Sequence, residues 1–143
     1  MDWRLELVVL PVSDVDRAKA FYMEKAGFNL DVDHRAGDDF RVVQLTPPGS
    51  ACSITIMRNT EAAGSVHGLH LVVSDIDAAR AELVRRGTDV SEIFHFELGG
   101  QRPGPDPQRS NYNSFLAFSD PDGNSWLVQE VRRAKPGPET AKP

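Results

Sequence analysis

The residues from Leu10 to Tyr22 read LPVSDVDRAKAFY and those from Leu71 to Leu83 read LVVSDIDAARAEL, so the chain repeats itself at an offset of 61 residues. Seven of the thirteen positions are identical, where unrelated stretches would share about one. A second, fainter match lies at the far end of each half. Pro48 to Ile54 (PGSACSI) aligns with Asp122 to Val128 (DGNSWLV) at an offset of 74, resting on Gly49 and Gly123. The offset widens because the second half carries an extra segment, GGQRPGPDPQRSN at Gly99 to Asn111, whose Gly, Pro, Arg and Gln content is that of a surface excursion able to cover a site.

The 143 residues suit a single body and leave no room for a separate cofactor domain. The expected division is one domain over 1–131, made of module one at about 4–58 and module two at about 67–131, and then a mobile tail over 132–143. That tail, RRAKPGPETAKP, has no apolar anchor.

The same order of elements can be read in each half. Val8, Leu10 and Val12 alternate with Leu7, Val9 and Pro11 as a strand with two buried faces. Ser13 with Asp16 three residues on reads as a capping box, and Val15, Ala18 and Tyr22 form one helical face up to the stop at Gly27. Phe28 to Asp33, Phe40 to Thr46 and Cys52 to Met57 follow as strands, separated by Ala36-Gly37-Asp38-Asp39 and Pro47-Pro48-Gly49-Ser50. The second half repeats this with a strand at Leu69 to Val73, a helix at Asp75 to Arg86 stopped by Gly87, and strands at Val90 to Phe96, Ser114 to Phe118 and Ser125 to Glu130. Each half is therefore βαβββ, and the fold class is α+β.

Charge and cysteine content remove several functions. Sixteen Lys and Arg stand against 21 Asp and Glu, which offers no footprint for nucleic acid. No apolar run reaches the roughly 18 residues that span a bilayer, and the first ten residues are too short and acidic for a signal peptide, so neither a membrane partner nor export is expected and the location reads as cytoplasmic. A lone cysteine, Cys52, excludes an intrachain disulfide and a thiolate cluster. It reads as an inert buried thiol with no base nearby in sequence.

Two tandem βαβββ modules, with VSDVDRAKAFY near the start and FSDPDGNSWLVQE near the end, resemble the vicinal oxygen chelate superfamily, which includes glyoxalase I, extradiol dioxygenases and bleomycin-resistance proteins. The resemblance covers about Leu5 to Val131. It implies a curled, cleft-containing mixed sheet with the helices outside, and frequent homodimers. It also implies four metal-ligand positions, on the first and last strand of each module. Carried over residue by residue, these fall at Leu7, Ser53, Gly68 and Leu127, where no side chain is a usual ligand for a divalent ion. No cofactor is therefore expected, and the alternative is a divalent ion held by displaced ligands such as His70.

Strand alternation then nominates the cleft lining: Leu7, Val9, Gln44, Ser53, Thr55, His70, Leu127 and Gln129, a largely apolar wall with a few polar points that suits a small organic ligand. His70 is the candidate catalytic group, as general base or donor, against the plainer reading of a histidine that only lines the wall. His95 is placed to reach the cleft mouth, against a plainer role in an aromatic-rich strand. Arg102 and Arg109, in the inserted segment, can clamp an anionic group, while Tyr112 lies at its exit. Trp126 is assigned to the core, and Trp3 to a contact with a partner module or subunit. The two functions that fit are a metal-independent binder of an apolar or aromatic molecule, and a lyase, isomerase or dioxygenase-type enzyme using displaced ligands or His70.

Overall fold

The computed structural model describes residues 1–132, so the expected tail, apart from its first residue, lies outside the described residues. Module one consists of β1 (Leu7–Val12), α1 (Val15–Ala20) prolonged by a π-helical turn (Phe21–Lys25), β2 (Asn29–Ala36), β3 (Phe40–Thr46) and β4 (Ser53–Arg58). Module two consists of β5 (Leu69–Val73), α2 (Ile76–Arg85), β6 (Phe94–Glu97), β7 (Gly100–Pro103), β8 (Phe115–Ser119) and β9 (Ser125–Glu130). The first sheet has strand order β1-β4-β3-β2 and the second β5-β9-β8-β6-β7. In each, the first and last strands of the module run parallel and the remaining pairs antiparallel. The duplicated βαβββ order is thus present, with β7 added by the inserted segment.

Strand pairing refines the internal alignment. Val9 faces Thr55 and its counterpart His70 faces Leu127, so the last strands correspond at an offset of 72 rather than 74. The shift of two keeps every residue on its expected face, because side chains alternate with a period of two. Both helices start on an aspartate. The Asp14 carboxylate accepts from Arg17 N (3.0 Å) and that of Asp75 from Ala78 N (3.1 Å), satisfying amides that a helix start leaves open. Ser13, expected to cap, instead donates to Asp122 of module two, through its amide (3.0 Å) and its hydroxyl (2.5 Å).

One core serves both modules. Leu10, Val12, Val43, Leu45, Ile54 and Ile56 of the first sheet lie in the same apolar cluster as Ile76, Leu116, Phe118, Trp126 and Val128 of the second. The π-helical turn, closed by Ala26 N donating to the Phe21 carbonyl (3.1 Å), presents two consecutive aromatics to module two. Phe21 lies 6.2 Å from Phe118, and Tyr22 lies 5.9 Å from Trp126. The fully buried Tyr22 hydroxyl donates to Asp120 (2.9 Å) and accepts from Trp126 Nε1 (3.0 Å). The linker is drawn in as well, at Gly64: a Cβ there would meet the Asp122 carbonyl oxygen at 2.1 Å, and φ is +80°. Only glycine tolerates both.

The inserted segment is better fixed than its composition suggests. Its first half pairs with β6 as β7, and its second half is fastened to Glu130, which is fully buried. The Glu130 carboxylate accepts from the amide of Ile76 at the start of α2 (2.9 Å) and from Arg109 through Nε (3.0 Å) and Nη2 (2.6 Å). The Tyr112 amide donates to the Glu130 carbonyl (2.9 Å). Arg109, a candidate anion clamp, thus spends its guanidinium inside the fold. Hydrogen bonds from Arg109 hold the Glu130 carboxyl below its usual range against the opposing effect of burial.

Two outcomes follow from these contacts. Tyr22→Phe leaves a buried indole N–H and a carboxylate oxygen short of a partner, and urea denaturation should register a loss of about 1–3 kcal/mol; a loss near zero would show that the shared core does not depend on this hydroxyl. Because the carboxyl of Glu130 is lowered by folding, its stabilisation is complete above the unfolded carboxylate range and disappears as pH falls through the folded value. Arg109→Met strands that buried charge and should cost about 3 kcal/mol at neutral pH, with the deficit narrowing as the pH falls and Glu130 becomes protonated. A deficit that does not vary with pH would assign Arg109 a packing role alone.

Candidate ligand-binding faces

Because each sheet gives one face to the shared core, its other face remains open, and the helices lie on the core side. On the second sheet, cross-strand register puts Val72, Gln129, Phe115, Phe94 and Pro103 in one row, and His70, Leu127 and Ala117 in another. The aromatics form a wall. Phe94 stacks on Phe115 at 5.6 Å and 21°, while Phe96 meets both edge-on, at 5.9 Å from Phe94 and 5.6 Å from Phe115. Phe96 is 49% exposed and Val72 56%, an apolar surface that water covers at a cost. Gln129 Nε2 donates to the Tyr112 carbonyl (3.0 Å), which anchors the exposed Tyr112 beside this wall. His70 is exposed, with Nδ1 2.7 Å from the Gly68 carbonyl oxygen. That contact places a proton on Nδ1 and leaves Nε2 for a ligand.

On the first sheet the corresponding row is Val9, Thr55, Gln44 and Val32, with Leu7 beside Ser53. Ser53 and Thr55 sit on the central strand, each 5% exposed. The Ser53 hydroxyl is 2.6 Å from that of Thr46, which donates to Asp31 at the bulge in β2. The Thr55 hydroxyl is buried without a hydrogen-bond partner among the described residues. Burying a hydroxyl unpaired costs about 1–3 kcal/mol, and this atom has no exposed surface of its own.

At the positions where the resemblance implies metal ligands, the side chains are not the usual ligands of a divalent ion. Leu7, Gly68 and Leu127 carry no donor atom. The corrected register makes Thr55, rather than Ser53, the counterpart of Leu127, and a neutral hydroxyl is a weak substitute for a carboxylate. Among the described residues, no three His, Cys, Asp or Glu side chains converge on a common point.

Two nominated residues face the other way. His95 lies between Phe94 and Phe96 on β6, so alternation turns it to the opposite side, where it is buried with Nδ1 2.7 Å from the Gly104 carbonyl and Nε2 2.7 Å from Glu97. The contact with Glu97 raises its pKa, with a further contribution from Gly104. Arg102 pairs with His95 across β6 and β7 and shares its side. Leu7, Val9, Gln44, Ser53 and Thr55 are brought together on one open face, and His70, Leu127 and Gln129 on the other with Tyr112 adjoining. Phe94, Phe96, Phe115 and Thr46 were not nominated. The alternation in Phe94-His95-Phe96 shows that the two phenylalanines share a face, but only the pairing of Phe94 with Phe115 shows which face.

Known proteins share this arrangement. The model of the Glyoxalase/Bleomycin resistance protein/Dioxygenase superfamily matches residues 4–128. YetH of Bacillus subtilis is 25% identical over 124 residues, covering 86% of this chain and 94% of its own. Among solved structures, TnmS3, an antibiotic binding protein from Streptomyces sp. CB03234, is 32% identical with a TM-score of 0.70, covering 91% of this chain and 97% of its own. A glyoxalase/bleomycin resistance protein from the same Streptomyces strain is 33% identical with a TM-score of 0.67, covering 89% of this chain and all of its own. The chain belongs to the Glyoxalase/Bleomycin resistance protein/Dioxygenase superfamily.

Proposed function

We propose that this protein binds a small, largely apolar or aromatic organic molecule without a metal ion, and that the binding cleft forms between two copies of the chain. The aromatic wall of Phe94, Phe96 and Phe115 on an open sheet face carries this reading. A flat ligand gains stacking and desolvation there, and Gln129 and His70 offer a few directional contacts. The similarity to an antibiotic binding protein supports the same class of ligand.

The shared core supports the dimer. Within one chain both sheets turn their helical sides inward, so a cleft lined by both open faces needs the first sheet of one copy against the second sheet of another. Trp3 (87% exposed), Leu5 (70%) and Val9 (49%) at and before β1 supply apolar surface for such a contact. The reading is non-catalytic, and its natural role is to sequester or carry the ligand.

Sedimentation velocity should give a homodimer, and Val9→Arg, which brings a charge to the open face, should shift it to monomer. Titration with the fluorescent aromatic probe 1-anilinonaphthalene-8-sulfonate should show binding that Phe96→Ala weakens by about tenfold, or about 1.4 kcal/mol. Full probe binding by a monomer would overturn the shared cleft. A stoichiometric divalent ion in the purified protein, lost on His70→Ala, would overturn the metal-free reading in favour of an enzyme with displaced ligands.

A further inference from the structure

The two modules also differ at one pair of equivalent places. In module one, Leu10, Val12, Ala18 and Tyr22 are at most 1% exposed, sealed where Trp126 and the Asp120–Asn124 turn of module two pack on them. Their counterparts Leu71, Val73, Ala79 and Leu83 line a cavity of about 460 Å³, alongside β5, the edge strand of its sheet. That volume lies within the range of small-molecule sites.

Three replacements distinguish this end from the first, and one of them, Leu83, lines the cavity. Leu83 stands where module one has Tyr22, and Ile54 where module two has Trp126. Cys52 stands where module two has Asn124, whose Nδ2 donates to the Pro11 carbonyl (3.0 Å). The turn Pro47-Pro48-Gly49-Ser50 borders the cavity with side chains too short to fill it. What the second end lacks, judged by the first, is an aromatic ring and an N–H donor directed at Val72, the residue equivalent to Pro11. After Val131 the sequence continues RRAKPGPETAKP, which holds no aromatic residue to supply the ring.

We propose that this cavity, which meets the open face of the second sheet only at the β5 edge through His70 and Val72, is a second ligand site for a neutral one- or two-ring aromatic molecule bearing an N–H or O–H donor. Its floor of Leu83, Phe118 and Val128 takes the ring, and the β5 edge takes the donor. Glu82 at the rim gives no call for a cation, because its carboxylate is already paired with Arg85 (2.5 Å) and Arg86 (2.7 Å).

Indole is a suitable probe, titrated into the ¹⁵N-labelled full-length protein. Amide shifts should concentrate at Leu71 to Val73, Ala79, Gly49 and Ser50, with a Kd of about 1 mM. Leu83→Tyr, which restores the ring found in module one, and Ser50→Trp, on the exposed turn, should each weaken indole by at least about tenfold. Shifts confined to Phe94, Phe96 and Gln129 would place the probe on the open face and overturn the proposal. So would the absence of shifts around the cavity, as when another part of the chain already occupies it, or an affinity that both filled variants leave unchanged.

Discussion

The burial of Tyr22 against Trp126, with its hydroxyl between the indole and the Asp120 carboxylate, decides how the two modules are joined. A single βαβββ unit has a sheet with one helix to cover it, too little to close a core. Here the helical sides of both sheets close on each other, and the polar atoms buried in doing so are paired. The Tyr22 hydroxyl, the indole N–H and Asp120 satisfy one another, while Asn124 Nδ2 bonds both Asp120 (2.8 Å) and the Pro11 carbonyl. Burial and the neighbouring Asp120 carboxylate push the Tyr22 phenol far above its ordinary pKa, so it is a protonated donor at neutral pH. Such a network is worth having only when complete, since each unpaired member would carry its full desolvation cost.

This joint has a consequence for function. Once the helical sides are used up inside one chain, the opposite faces are the surfaces left to meet a ligand or a second copy. Exposed apolar residues collect there: Val9 and Val32 on the first sheet, Val72 and Phe96 on the second. The polar groups beside them are few and unmatched, comprising the Thr55 hydroxyl, the Gln44 amide and His70 Nε2. His95 has both ring nitrogens occupied on the far side of β6, so the histidine with the raised pKa is not the one that faces the open wall.

Much of the fold was legible because a duplication prints its period in the sequence. The offset of 61 residues, the N-terminal Ser-Asp of each helix, the glycine stops and the alternation of β1 and β5 were enough to place the first half of each module. The second match misled by two residues, since it rested on aligning Gly49 with Gly123 across turns of different length, and only the ladder between β5 and β9 corrected it. The cap was misassigned for a related reason. Ser13 and Asp14 are both good caps locally, and the choice between them is made by Asp122, more than a hundred residues away. Arg109 was unreadable for the same cause: its partner Glu130 closes β9, and nothing near Arg109 in sequence announces a buried carboxylate.

The site was legible in its parts but not in its assembly. Alternation grouped Leu7, Val9, Gln44, Ser53, Thr55, His70, Leu127 and Gln129 on the faces turned away from the core, because parity along a strand survives a register error of two. It could not give the neighbours across strands, which decide whether polar residues meet to do chemistry or stand apart among apolar ones. Nominating His95 shows the limit. A histidine between two phenylalanines belongs to whichever face the phenylalanines do not, and the pairing of Phe94 with Phe115 gives the aromatics the open side. The result is a wall richer in rings and poorer in titratable groups than residue types alone suggest. On such a wall, shape and stacking supply the affinity, and the scattered polar groups serve to orient what binds.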